Sequence, residues 1–543
     1  MVSAYLADAL RDPTSEIKEL YATHDPSKDF VQLVVNHFSK VFSSDAAFEE
    51  IPILRVQNSP LSYRDRSLVR FRAMVQDTSP SSEMYLQRIG EGTPGGWGIH
   101  AEAHTAASSA INYSDLRECN VLWAVSVPGE SHWCSEELDG VAQEATPSLP
   151  STDRAHKYPT PGSTHVGVQV KIYDNSCAEK LRSTDIATFV GILTREPLAL
   201  DDESSSEVPT LHVLFARIHD KASLSRPYPQ ASVDIPTIRS ELIDWIAEES
   251  LGSDREAAEW VLLASIARVE SRNPPLLPPS ITLSHFPSPP IPSSAPSNEA
   301  PLPPTDSPTL SHVLSQLLPL SSTLPLSLEL FNKVPFAPES KDEDLHSGVL
   351  QLPKGSVLLV TEGGIREGKL VERGLTNIGV LQEVMTSQSL AYVFPFSRFS
   401  FPTDIECIIL TEGKKSTFFK TDLSVPFRPN SNSPEDVSRL YKGPDTISLP
   451  APEKLAAFRS LIVGAQQGKV RVGKETSEGM QYIQQEFVRD RQQDQSVTSD
   501  DLIRRMTVAK LYALSLHEEE LTVDTWERAK ACDERRKARV NAA

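Results

Sequence analysis

The chain has 543 residues, 23% of them charged and 39% apolar, with 42 prolines and a formal net charge of −20. That length exceeds one hydrophobic core and predicts two to four domains. The acidic balance excludes a general binder of nucleic acid or of anionic membrane, while leaving room for a local basic face. The five cysteines, Cys119, Cys134, Cys177, Cys407 and Cys532, are scattered without a C-x-x-C pair. They read as reduced thiols rather than as a disulfide framework or a zinc site. The opening MVSAYLADALRDP lacks a basic n-region and no run reaches 18 apolar residues, so neither secretion nor a membrane span is expected.

Residues 1–60 read as an N-terminal helical segment, with Phe30, Leu33, Val34, His37 and Phe38 at three-to-four spacing. From 61 to 232 the period changes. Val69, Phe71, Ala73 and Val75 alternate with Arg70, Arg72, Met74 and Gln76, which predicts a half-buried strand. Further strands are expected at 84–89, 120–127, 165–174, 186–193 and 211–218. Six short strands with irregular inserts point to an OB-like β-barrel. The inserts at about 90–118 and 128–164, rich in Gly, Ser, Pro and Thr, read as loops. On such a barrel Arg64, Arg66, Arg70 and Arg72, beside Tyr63 and Phe71, form a candidate DNA-facing basic face, because cations and rings together hold single strands. The alternative is a solvated strand face on an acidic protein. His100 and His104 stand four apart, as two metal ligands on one helix face would, but no third ligand accompanies them. No metal is expected.

Residues 233–445 read as an α/β domain. Two helices fill 236–273, the second apolar nearly all round through Trp260, Val261, Leu263 and Ile266, hence buried. Then 13 prolines fall within 274–308, and such a composition predicts a disordered interruption running over 274–325. Order returns with the buried run Val357–Val360, which ends at Thr361-Glu362-Gly363-Gly364. An apolar strand ending in acidic residues, then a helix and a hairpin, is the Walker-B half of a nucleotide site. One carboxylate there holds Mg²⁺ and the next polarises water. Only Glu362 is present, with Thr361 where the metal-binding aspartate belongs. The partner motif, G-x-x-x-x-G-K-[ST] between a strand and a helix, is missing. Gly468–Glu475 is the nearest match, but Glu475 replaces the hydroxyl and no strand precedes it, while Gly413-Lys414 lacks the first glycine. Thr361 and Glu362 therefore read as a degenerate remnant, with no cofactor expected. A further apolar strand covers Cys407–Leu410, and residues 446–543 read as a C-terminal helical domain with Ser499 or Asp500 as an N-cap. Arg535, Arg536, Lys537 and Arg539 form either a nuclear-import signal or a cationic helix C-terminus.

LSYRDRSLVRFRAMVQD (61–77), CNVLWAVSVPGESHW (119–133), AAEWVLLASIARVESR (257–272), the run from Leu352 to Phe394, DIECIILTEGKKS (404–416) and TVDTWERAK (522–530) occur in one order. Together they resemble the minichromosome maintenance (MCM) complex-binding protein family, over roughly 45 to 540. The resemblance implies an α+β multidomain chain of divergent MCM-like architecture. Its parts would be an OB-like N-terminal half, a degenerate AAA+-like α/β domain and a C-terminal helical region. It also implies a nuclear, non-catalytic protein that binds MCM helicase subunits in place of one of the six, without contacting DNA directly. Such a protein would support the assembly and stability of MCM complexes, their unloading from chromatin, and sister-chromatid cohesion. Two readings from other classes stand beside it: a residual AAA+-type ATPase and a single-stranded DNA-binding OB protein.

Overall fold

Alternation along Ser67–Asp77 (β1) organises the first half of the protein. The computed structural model describes residues 4–25, 28–90, 93–99, 112–139, 154–197, 207–219, 224–230, 234–289, 307–429, 434–472, 478–493 and 498–542. Val69, Phe71, Ala73 and Val75 enter one core with Leu122, Val168, Phe189 and Leu211. β1 is joined by Leu116–Ser126 (β2), Gly167–Ile172 (β3), Ile186–Pro197 (β4) and Glu207–His219 (β5). β1 pairs antiparallel with β4, β4 antiparallel with β5, β5 parallel with β3, and β3 antiparallel with β2. β2 then pairs antiparallel with β1, so the ladder returns on itself. The short strand Glu83–Leu86 extends β2 at its far end.

The opposite face of this sheet is covered as well. Helices Ala4–Arg11 (α1), Pro13–Ala22 (α2) and Phe30–Val41 (α3) bury Leu6, Ile17, Phe30, Val34 and Phe38 against Trp97, Tyr173, Val190 and Leu214. Asp12 and Asp29 cap α2 and α3 by accepting from the Ser15 and Val31 amides. β1 is thus buried on both sides, which is why its polar positions cannot all face water.

The second half is built on a five-stranded sheet, parallel throughout. Ile235–Ser250 (α4) and Arg255–Ile266 (α5), capped by Asp234 and Asp254, lead into Ile281–Ser284 (β6). Thr309–Leu317 (α6), Ser321–Pro325 (β7), Ser356–Thr361 (β8) and Glu372–Ser387 (α7) follow. A hairpin of Ser389–Phe394 (β9) and Ser397–Pro402 (β10) precedes Ile405–Leu410 (β11) and Leu423–Pro426 (β12). The order across the sheet is β7-β8-β11-β6-β12, so the first strand in the chain lies between the fourth and the fifth. Both faces are covered: one by α4, α5 and α6, the other by α7 and Phe331 and Phe336. Strands so enclosed read as continuous apolar runs, as Val357–Val360 does. Pro452–Gln467 (α8), Glu478–Gln493 (α9), Ser499–Ser515 (α10) and Val523–Ala542 (α11) complete the chain, and α8, α10 and α11 send Phe458, Leu511 and Cys532 into the same core. The cap of α10 is Thr498, one residue before the expected pair, in a reciprocal capping box with Asp501.

The expected disordered interruption at 274–325 is corrected here. β6, α6 and β7 all fall inside it, and only 290–306 lies outside the described residues. The prolines at 278, 279, 287 and 289 flank β6 rather than interrupt it, so its ladder bonds survive. Ile281 and Leu283 are fully buried in the middle of the sheet.

Candidate functional site

The carboxyl ends of β6, β8 and β11 share one edge of the parallel sheet, the place where open α/β sheets hold ligands. Thr361 closes β8 and Glu362 follows it, buried at 7% exposure. The Glu362 carboxylate accepts from Ser416 Oγ at 2.5 Å and from the Thr417 amide at 3.2 Å. Both oxygens are therefore engaged by the loop after β11. The loop that leaves the carboxyl end of β6 meets the loop after β11 at this edge. His285 donates its amide to the Gly413 carbonyl at 3.1 Å, and Phe286 donates to that of Thr411 at 2.9 Å. Ser288 donates to the Glu412 carboxylate at 3.0 Å, and Pro287 and Pro289 have no amide hydrogen. Every backbone nitrogen from 285 to 289 is thus either spent on the protein or a proline. A phosphate needs several free amides converging on it.

The same edge is filled by side chains. Phe286 is buried against Phe427 and Tyr441, with ring centroids 5.1 and 6.2 Å away, and the Tyr441 hydroxyl donates to the Pro287 carbonyl at 2.7 Å. Ser288 Oγ lies over the Gly363 carbonyl at 3.5 Å. Gly413-Lys414 follows β11, where the Gly413 carbonyl accepts from the His285 amide and the Gly413 amide donates to Thr411 Oγ1 at 3.4 Å. Gly473, Lys474 and Glu475 lie outside the described residues, as do His100 and His104.

The four arginines are not brought to one face. Arg64 and Arg66 are exposed beside β1, Arg66 3.8 Å from Asp65. Arg70 is 3% exposed with its guanidinium 5.0 Å from the Phe48 ring. Arg72 is ion-paired with Glu130 at 2.6 Å, both side chains largely buried. The basic tail is helical. Arg535 pairs with Glu259 and Arg539 with Asp254, while Arg536, paired with Asp533 inside α11, donates to the Ser424 carbonyl at 3.0 Å, so these residues clamp α11 onto the α/β core.

Arg72 belongs instead to a joint between the halves that sequence reasoning missed. Glu130 sits in the loop after β2, where the Gly129 carbonyl accepts from the Ser321 amide and the Ser131 amide donates to Pro319, each at 2.8–2.9 Å. Trp133 follows, donating to the Ser315 carbonyl at 3.1 Å and stacking on Arg459. Gly129 is required: its φ is +71°, and a Cβ would lie 2.4 Å from Ser322 Oγ. A second contact is ionic. Lys157, almost completely buried, pairs with Asp77 at 2.8 Å and with Asp344 of the other half. Arg154 and His156 reach the same Asp344 carboxylate at 3.1 and 2.8 Å. Burial alone would raise the Asp344 carboxyl, but the hydrogen bond from His156 and the charge of Lys157 hold it well below the usual range. His156, Asp344 and His346 place ligand atoms within 4.8 Å of one another, as a metal site would. The donor set does not fit one, because Lys157 and Arg154 already neutralise the only carboxylate. A third contact is uncharged: Gln351 Nε2 donates to the Gln76 carbonyl at 2.7 Å and to Tyr392 Oη at 3.1 Å, and Tyr392 meets Ser183.

Only the PGESHW run carried a local signal for this joint, in the Gly129 turn and in Trp133 at the start of the helix His132–Asp139. Comparison with known proteins bears on the whole chain. The family described as Mini-chromosome maintenance replisome factor matches residues 38–151 and 135–540. The chain belongs to this family. Curated relatives called Mini-chromosome maintenance complex-binding protein are similar over nearly their full length. The one from Arabidopsis thaliana is 25% identical, over 98% of this chain and 99% of its own. That from Salmo salar is 25% identical over 98% and 97%, and that from Homo sapiens 23% over 98% and 98%. Membership places both halves and the joint between them within one family unit, since the matches run through all of them.

Proposed function

We propose that this protein binds the MCM complex and has no catalytic activity of its own. The observation that carries the reading is the end-to-end similarity to relatives whose name states MCM complex binding. In this reading the ring of five strands is an OB-like barrel, supported by its return pairing and by the parallel β3–β5 contact. The parallel sheet is a degenerate AAA+-like domain, supported by the acidic-ended β8, the hairpin after α7 and the proline-blocked loop after β6. Such a scaffold keeps the surfaces of a helicase subunit while lacking the amides and lysine that nucleotide requires. It takes the place of one MCM subunit, acts in the nucleus, and supports assembly, stability and unloading of MCM complexes in DNA replication and sister-chromatid cohesion.

The test is affinity purification of the full tagged chain from replicating cells, with mass spectrometry of what accompanies it. MCM subunits are expected among the most enriched proteins; their absence overturns the reading. Titration of the purified chain with a fluorescent ATP analogue in millimolar Mg²⁺ should show no saturable binding. Saturable binding would favour the ATPase alternative.

A further inference from the structure

A cleft of about 560 Å³ opens at the amino end of the parallel sheet, away from the blocked edge, between the ends of α5 and α8, the start of β8 and one face of α10. Its lining is largely apolar, from Ile266, Val269, Leu276, Leu511 and Leu514. Around these stand five cations, Arg268, Lys354, Lys469, Arg471 and Lys510, against two carboxylates, Glu270 and Asp404. On a chain of net charge −20 this is a local reversal of sign.

The cations differ in what they already hold. Lys510 is tied to Glu270 at 2.8 Å and Lys354 to Asp185 at 3.0 Å. Arg471 has a loose, exposed contact with Glu519 at 3.5 Å. Arg268 donates one hydrogen bond, to the Ala267 carbonyl at 2.6 Å, and has no carboxylate within ion-pair distance among the described residues. Gly355, with φ +86°, lies beside it, its ideal Cβ position 3.6 Å from Arg268 Nε. Lys469 is exposed at the rim and makes no ion pair among the described residues. A half-buried guanidinium with spare donors is a fork matched to a carboxylate. Apolar walls beside it suit one hydrophobic anchor, the usual composition of a specific pocket.

The geometry points to a docking cleft for an acidic peptide segment that carries an apolar anchor, presented by the bound partner. An Asp or Glu of the segment pairs with Arg268, the anchor rests between Val269 and Leu511, and Lys469 attracts the flanking acidic residues. This rests on the reading that the partner is the MCM complex, and the experiment separates the two. The full chain is applied to an array of overlapping peptides tiled across the MCM subunits, alongside co-purification of the intact subunits. Peptides retained should combine Asp or Glu with Leu, Ile or Phe. Lys469→Glu and Arg268→Gln should each weaken retention about tenfold, and added salt should weaken it further. Lys415→Glu, an exposed site after β11, should leave retention unchanged, and Lys469→Glu should leave the melting temperature unchanged because its exposed side chain makes no ion pair among the described residues. No retained peptide, retained peptides without acidic residues, or equal retention by both variants overturns the cleft. So does displacement of the retained peptides by a single-stranded oligonucleotide at low micromolar concentration, which would mark a phosphate site instead. If wild type and both variants co-purify MCM subunits equally, the cleft fails and the proposed function stands. If wild type co-purifies none, that function fails, and the array still judges the cleft.

Discussion

Glu406→Gln should stabilise the α/β half, and by an amount that grows with pH. Glu406 lies in β11 at 1% exposure, and its Oε1 has no hydrogen-bond partner. Burial pushes its carboxyl well above the ordinary 4.5, Arg268 opposes this in part, and Asp422 and Asp404 add to it. The sign follows from linkage. The folded state keeps a proton that the unfolded chain releases near the ordinary value, so folding takes up a proton and stability falls as pH rises. The loss starts near pH 4.5 and runs at about 1.4 kcal/mol per pH unit until the folded-state value is reached. Glutamine keeps the shape and removes the titration, so the variant should match wild type near pH 4.5 and exceed it by more than about 1 kcal/mol at pH 6. A chain of several domains does not unfold in one step, so the readout must be local. Amide hydrogen exchange of Ile405–Leu410, compared between variant and wild type at each pH from 5 to 8, isolates this strand. A difference that stays flat with pH, or a less protected variant at pH 8, would show that Glu406 is ionised in the fold and paired.

Lys157→Met removes the cation shared by Asp77 and Asp344 and leaves buried charge uncompensated, at a cost of about 3–5 kcal/mol. Amide hydrogen exchange around Asp77 and Asp344 should show this, with part recovered in Lys157→Met/Asp77→Asn; a cost below about 1 kcal/mol would mean the pair is dispensable. Leu283→Ala should cost about 2–5 kcal/mol in the amide hydrogen exchange of the parallel sheet, because Leu283 is fully buried in β6. A disordered segment would show no change. Glu362→Gln should cost about 1–3 kcal/mol through the Ser416 and Thr417 contacts. Its co-purification with MCM subunits should be the same with and without ATP; an ATP-dependent change would mean a working nucleotide site.

How much of this was readable depended on whether the deciding contact was local. The alternation in β1, the buried runs at 357–360 and 407–410 and the all-apolar α5 follow from side-chain period and length, and each is in place. β6 was hidden because four residues between prolines give no period, and composition over 35 residues outweighs them. α6 was legible: Leu310, Val313, Leu314 and Leu317 repeat at helical spacing, and only the adjoining prolines obscured them. Arg70 and Arg72 were assigned to the side of β1 opposite the core, which is correct. Period-two patterning cannot say whether a second layer covers that side, and here α1–α3 and the Glu130 loop do.

The end of β8 shows the limit most clearly. Glu362 was found by its position after a buried strand, and a carboxylate there reads as catalytic because strand ends in α/β sheets face ligands. What decides its role is the opposite wall, supplied by residues far away in sequence. Ser416 and Thr417 occupy the oxygens that a metal or water would use, and the amides of 285–288 are spent on 411–413. A ligand entering this edge would have to break these bonds before making its own. Each buried donor or acceptor so exposed costs about 1–3 kcal/mol. At least five such bonds close this edge, the buried ones on Glu362 and Phe286 and the Ser288–Glu412 bond on its exposed rim. A surface meant for a partner is then free to lie elsewhere on the same scaffold.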